Sequence, residues 1–216
     1  MLQWLLNLLF PPKCILCRKI LGKSETHVCH DCRSSTQEFS IGKRKISFVA
    51  QWTGIWYYTD NVRSSILRFK FYNARSYAKA YAQLLALRLQ QEEMDDFDLL
   101  SWVPVSSSRK RKRGYDQCEL LAKALAQELN RPCESVLEKT RNTPPQSGFH
   151  QVSSRRANVL GAYRVPNPAN IRGKRILLID DVITTGSTAS ECAKTLMIGG
   201  AKNVTLATVA VADKNK

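Results

Sequence analysis

Apolar and polar positions alternate differently along the chain, and the change divides a short N-terminal piece from a longer strand-and-helix region. From Ile46 to Tyr58, aromatic and β-branched residues predominate and predict a pair of strands. Asn61–Lys70 and Ala74–Gln91 then carry helical spacing, and in the second Tyr77, Tyr81, Leu84, Leu85 and Leu89 mark a core-facing stripe. Asp98–Val105 reads as a strand running into a loop, and Glu119–Asn130 as an amphipathic helix through Leu120, Leu121, Ala124, Leu125 and Leu129. Further strands are expected near Leu160–Val165, Arg175–Ile179 and Asn203–Val211, with a helix over Ser187–Ile198 that Gly199-Gly200 ends. Strands alternating with helices predict an α/β domain whose mostly parallel sheet is covered on both faces.

The N-terminal piece has another character. Met1–Phe10 is apolar but too short to span a membrane, and Pro11-Pro12 stops it. It lacks a basic start and a small-residue cleavage site, so a short helix in a cytoplasmic protein is expected rather than a signal peptide. Without an export signal, the seven cysteines point to metal or free thiols. Cys14, Cys17, Cys29 and Cys32 form two C-x2-C pairs around a Gly22-Lys23-Ser24 turn. Each pair presents two thiolates from one tight turn, and two turns complete a tetrahedron around Zn²⁺. A closed four-cysteine site is structural, and the metal supplies folding free energy on the order of 10 kcal/mol to a module too small for its own core. Residues 1–45 therefore read as a helix plus a zinc ribbon, Ser40–Lys45 as the joint, and residues 46–216 as the second domain. Cys118, Cys133 and Cys192 have no metal spacing and read as buried thiols.

Charge adds a partner class. With 33 Lys and Arg against 18 Asp and Glu the formal net charge is +15, which favours a phosphate-rich ligand. Residues 104–175 hold 15 basic and 5 acidic side chains, and Arg109-Lys110-Arg111-Lys112-Arg113 is the densest run. Such a run attracts pyrophosphate or a DNA backbone equally well.

The chemistry concentrates in Ile176-Leu177-Leu178-Ile179-Asp180-Asp181-Val182-Ile183-Thr184-Thr185-Gly186-Ser187-Thr188. An apolar strand ends in two carboxylates outside the core, and a hydroxyl-rich turn with one glycine leads into a helix. α/β sheets bind ligands at this edge. Gly186 permits close backbone approach, and amides and hydroxyls from Thr184 to Thr188 suit a phosphate at the helix N-terminus. Asp180 and Asp181 suit ribose hydroxyls or hydrated Mg²⁺.

This stretch resembles the phosphoribosyl-pyrophosphate (PRPP) motif of type I phosphoribosyltransferases. The whole chain resembles the ComF family within that superfamily. The resemblance runs through Phe10-Pro11-Pro12-Lys13-Cys14, the cysteine pairs, Val103-Pro104-Val105 and Lys112-Arg113-Gly114-Tyr115-Asp116-Gln117. It continues through Thr140, Thr143, Gln146 and Arg156-Ala157-Asn158-Val159. Asp116 stands where that family usually has Asn. The resemblance implies a type I phosphoribosyltransferase-like fold, PRPP bound with Mg²⁺, and a part in DNA uptake beside other competence proteins. It also implies that Arg109–Arg113 lies in a pyrophosphate-contacting loop and that residues 140–158 form a loop over the substrate. No acceptor is readable, and a non-catalytic protein binding single-stranded DNA fits the same residues. Trp52, Trp56, Tyr57 and Tyr58 offer stacking surfaces, although core packing accounts for most of them.

Overall fold

The computed structural model describes residues 10–41, 44–141 and 159–212. The N-terminal helix, Thr143, Gln146, Arg156 and Asn158 lie outside the described residues. In chain order the elements are α1 (His30–Ser35), β1 (Gln51–Tyr57), α2 (Asp60–Phe71), α3 (Tyr77–Gln91), β2 (Leu99–Trp102), α4 (Ser107–Arg113) and α5 (Gln117–Leu129). They continue with β3 (Glu138–Lys139), β4 (Tyr163–Arg164), β5 (Arg175–Ile183), α6 (Ser187–Ile198) and β6 (Asn203–Val211).

The expected parallel sheet is present, with strand order β1-β6-β5-β2 and every pairing parallel. One core, including Phe69, Tyr81, Leu85, Leu121 and Leu125, joins α2, α3 and α5 to the sheet. Another, including Leu196, Ile176, Leu178 and Leu206, joins α6 to it. β3 and β4 form a separate antiparallel pair.

Three departures from the sequence reading have physical causes. The region 46–58 yields one strand, because Phe48 turns the chain at φ 65° and Val49 donates back to Ile46. The antiparallel partner comes from earlier in the chain, where the Phe39 amide donates to the Ile55 carbonyl at 2.9 Å. β5 runs four residues past its expected end, because β6 continues to ladder with it from Asp180↔Thr208 to Ile183↔Val211. The basic run forms helix α4 rather than a loop, since Arg and Lys are good helix formers and Gly114 supplies a left-handed end at φ 77°.

The unequal length of the central strands positions the site. β2 ends at Trp102, opposite Ile179, while β5 continues beside β6 alone. The acidic pair therefore begins one residue past the end of β2, in a notch at the carboxyl edge of the sheet.

The ribbon packs into the larger core rather than standing apart. Cys14, Ile15, Leu16 and Val28 share a cluster with α2 and α3. Ser65 Oγ donates to the Ile15 carbonyl at 2.5 Å, and Arg68 Nη2 donates to the Ile15 and Leu16 carbonyls at 2.9 and 2.5 Å.

Candidate functional sites

At the ribbon, the four cysteine sulfurs lie within 4.8 Å of one another, and the Cys17 and Cys29 sulfurs are 3.6 Å apart. A tetrahedron with Zn–S bonds of about 2.3 Å has S···S edges of about 3.8 Å, so the cluster fits the metal. In the first pair, the Arg18 amide donates to Cys14 O at 2.8 Å, and Arg18 takes φ 70° to close the turn. In the second, Cys29 caps α1 and Cys32 sits in its first turn. Burial raises the Cys14 thiol, but hydrogen bonds from the amides of Cys17, Cys29 and Leu16 outweigh it and bring it down to about 7. His27 is engaged elsewhere, its Nε2 lying 2.6 Å from Gln83 Oε1.

At the notch, Asp180 and Asp181 are more embedded than the sequence suggests. Asp181 is 6% exposed, which overturns the expectation that the pair stands outside the core. Its Oδ1 pairs with Lys70 Nζ at 2.8 Å, and its Oδ2 accepts from Gln117 Nε2 at 2.6 Å. Gln117 Oε1 in turn accepts from Arg113 Nη1 at 2.7 Å. A hydrogen-bonded line thus runs from the basic helix through Gln117 to Asp181 and Lys70. Burial lowers the Lys70 ammonium, but the Asp181 charge outweighs it and the net shift is upward.

Asp180 accepts from the Asp181 amide at 2.8 Å and faces the Cys118 sulfur at 3.8 Å, both on Oδ1. Burial, then the Asp181 charge, raises the Asp180 carboxyl to about 7. Cys118 is a buried thiol as expected, pushed well up by burial and by both carboxylates.

Beyond β5, Gly186 caps α6 at φ 80°, a conformation that favours glycine. A Cβ there would stand 3.3 Å from Ile46 Cγ1 and 3.6 Å from Arg44 Nη2. Thr185 Oγ1 and Ser187 Oγ are 2.8 Å apart, and the Ser187 amide donates to Thr185 Oγ1 at 3.3 Å. Arg44 donates to the Thr184 carbonyl, so the joint after the ribbon touches the turn directly. The first amides of α6 have no partner within the helix, as at any helix start.

The basic residues divide by environment. Lys110 pairs with Glu119 at 2.7 Å, Arg111 and Lys112 are exposed, and Arg113 lies over the Phe71 ring at 4.6 Å. Arg109 is half-buried, and burial and then Arg113 lower its guanidinium. Asp116 has a structural part, accepting from the Cys118, Glu119 and Val105 amides at 2.9, 3.2 and 3.0 Å. An Asn there could accept from only one side, since the Cys118 and Glu119 amides use Oδ1 and the Val105 amide uses Oδ2. Trp52 and Trp56 are buried at 7% and 5% exposure and therefore unavailable for stacking. Tyr57 and Tyr58 are half-buried against the core clusters.

Sequence reasoning gave no role to Lys70, Gln117, Arg44 or Lys139. Lys139 lies 5.2 Å from the Tyr163 ring centroid, with its ammonium lowered by burial and then by Arg109. Gln117 stood within the Arg-Gly-aromatic run and could have been found there. The others carry no local signal.

A family model described as phosphoribosyl transferase domain matches residues 116–216, and one described as double zinc ribbon domain matches residues 5–44. Competence protein F of Haemophilus influenzae is 27% identical over 215 residues, covering 89% of this chain and 93% of that protein. The DNA utilization protein YhgH of Escherichia coli O157:H7 is 32% identical over 144 residues, covering 64% and 62%. Competence protein ComFC of Bacillus subtilis is 25% identical over 198 residues, covering 87% and 78%. The ribbon model and the sulfur cluster together support structural zinc at Cys14, Cys17, Cys29 and Cys32. No helix among the described residues is long and apolar enough to cross a membrane.

Proposed function

The chain belongs to the ComF family, and we propose that it serves DNA uptake or use by binding PRPP with Mg²⁺ at the carboxyl edge of its sheet. On this reading residues 1–45 are the zinc module and residues 46–216 the ligand-binding domain. The 5′-phosphate enters the turn Thr184, Thr185, Gly186, Ser187 and Thr188. Asp180 and Asp181 orient the ribose, and Arg109, Lys110, Arg111, Lys112 and Arg113 draw in the pyrophosphate.

The carrying observation is the line Arg113–Gln117–Asp181–Lys70, which fastens the basic helix to the acidic pair beside the phosphate turn. Mg²⁺ would neutralise pyrophosphate charge when bound. Asp181 has both oxygens occupied by Lys70 and Gln117, whereas the described bonds to Asp180 all fall on Oδ1. Asp180 is therefore the carboxylate suited to a hydrated ion or a ribose hydroxyl. If the site turns over, an acceptor attacks the anomeric carbon as its C–O bond to pyrophosphate breaks and the electron pair leaves with pyrophosphate. The chain's part is positioning and charge stabilisation.

Calorimetry tests this reading. Mg·PRPP is expected to bind, tripolyphosphate to bind more weakly, and Gly186→Val to remove PRPP binding while the protein stays folded. Equal binding of both ligands, unaffected by Gly186→Val or Asp180→Asn, would leave only a basic anion patch.

A second reading, single-stranded DNA binding, is favoured by an uncompensated stripe of cations. Among the described residues, no acidic side chain lies within ion-pair distance of Arg75, Arg111, Lys112 or Arg113.

A further inference from the structure

Two aromatic side chains stand in solvent beside that stripe. Phe71, the last residue of α2, is 56% exposed, and Tyr72, which follows it, is 75% exposed. The buried face of α2 is carried by Val62, Ser65, Ile66 and Phe69, and neither aromatic shares it. A single exposed apolar residue is ordinary, but two adjacent aromatics rimmed by cations form a patch with a chemical character.

The surroundings hold the patch in place. After Tyr72 the chain turns through Asn73 at φ 55°, and Arg75 Nε donates to Asn73 Oδ1 at 2.9 Å. Arg75 lies 4.7 Å from the Tyr115 ring centroid, and the Tyr115 hydroxyl donates to the Phe69 carbonyl. Gly114 makes the turn into Tyr115 at φ 77°, a left-handed conformation that favours glycine. Arg113 covers one side of Phe71 and leaves the rest open. The turn after α2 and the turn after α4 are thus one surface, with Phe71 and Tyr72 beside Arg75 and Arg113, and the exposed Arg111 and Lys112 two residues and one residue back along α4.

We propose that this surface is a docking site for single-stranded nucleic acid, with Tyr72 and Phe71 stacking bases and the four cations holding phosphates. Aromatic faces accept any base, and cations release counterions on contact with the backbone, so the site reads little sequence. Charge selects a strand rather than a free base, since a neutral base needs none of the four cations. Lys70, immediately before Phe71, pairs with Asp181, so the strand would lie beside the acidic pair. The proposal rests on the second reading above and adds the aromatic contact that reading lacks.

The test uses fluorescence anisotropy on the intact, zinc-loaded chain with two probes of equal length and charge. One is oligothymidylate, and the other is the same backbone without bases. Wild type is expected to bind oligothymidylate about tenfold more tightly, since stacking is worth about 1–3 kcal/mol per base. Tyr72→Ala and Phe71→Leu should shrink that gap severalfold while leaving the salt slope and the thermal midpoint unchanged. Arg111→Gln with Lys112→Gln should weaken both probes alike and lower the salt slope by about 1.4, at roughly 0.7 per lost phosphate contact on a single strand. Equal binding of both probes by wild type, or a gap that survives Tyr72→Ala and Phe71→Leu, overturns the platform while leaving DNA binding intact. Failure of wild type to bind either probe overturns the nucleic-acid reading itself.

Discussion

At the ribbon, four thiols converge within 4.8 Å, and three of the four cysteines are buried. At the notch, two carboxylates and a thiol converge within the same distance, but a lysine ammonium already sits 2.8 Å from one carboxylate. The ribbon gathers like groups that become compatible only when a cation is brought in. The notch supplies its own cation, then adds Gln117 to fill the second oxygen of Asp181. Both clusters concentrate metal-ligating atoms, and the difference lies in who provides the countercharge. The first is therefore expected to depend on metal for its fold. The second is expected to keep its shape unaided and to have one carboxylate, Asp180, to offer a ligand.

Zinc withdrawal should break this comparison most visibly, because it removes a folding contribution on the order of 10 kcal/mol. The expected damage is wider than the ribbon, since Ser65 and Arg68 lose the carbonyls of Ile15 and Leu16. Hydrogen exchange after chelation, or in Cys17→Ser, should accelerate in residues 14–32 and along α2. Wild-type protection throughout α2 would show that the domain behind the ribbon folds independently of it.

The next effect is Asp181→Ala. It leaves the half-buried Lys70 ammonium with Asp180 as its remaining acidic neighbour, so the cost should fall at or below the low end of the roughly 3–5 kcal/mol seen when a buried pair is broken. Lys70→Met in the same chain should restore much of the loss, because an apolar pair of similar volume is tolerated. A chemical-denaturation midpoint unmoved by Asp181→Ala would show that Lys70 finds water instead.

The smallest change, Asp180→Asn, should have the opposite sign. The Asp180 carboxyl is raised from 3.8 to about 7 by burial and by Asp181, so the fold favours its protonated form. That stabilisation is complete below about pH 4 and is lost as pH rises through 7. Denaturation midpoints for wild type should fall across this window, and Asp180→Asn should flatten the profile and gain stability at pH 8. An identical pH profile in the variant would place the titration on another group.

What was legible in the chain follows from how local each signal is. α6 and β6 match the sequence reading residue for residue, because an apolar run bounded by Gly186 and Gly199-Gly200 carries its own start and stop. The cysteine pairs and the Gly186 turn into α6 were legible for the same reason. The far end of β5 was not, since Asp180 and Asp181 look like a terminus until β6 is seen to ladder past them. α4 was read as a loop because five successive cations show no apolar period. Lys70 was hidden because its partner lies far along the chain, and nothing in an ordinary helical pattern marks one lysine as buried. Phe71 and Tyr72 were passed over for Trp52 and Trp56, whose burial depends on contacts that no window of sequence contains.

The sheet order has a consequence for how the chain is made. β1 pairs with β6, so that Gln51 meets Thr205, and among the described residues the first strand of the sheet to leave the ribosome needs the last of them. At a synthesis rate of roughly 5–20 residues per second, β1 waits about 8–30 seconds for its ladder. During that interval its aromatic residues have no sheet to enter. The ribbon just ahead of it is already complete in sequence, and the Gln37 carbonyl and Phe39 amide reach the free edge of β1. Metal loading can therefore precede sheet closure, with the tail of the ribbon sheltering a strand whose partner has yet to be translated.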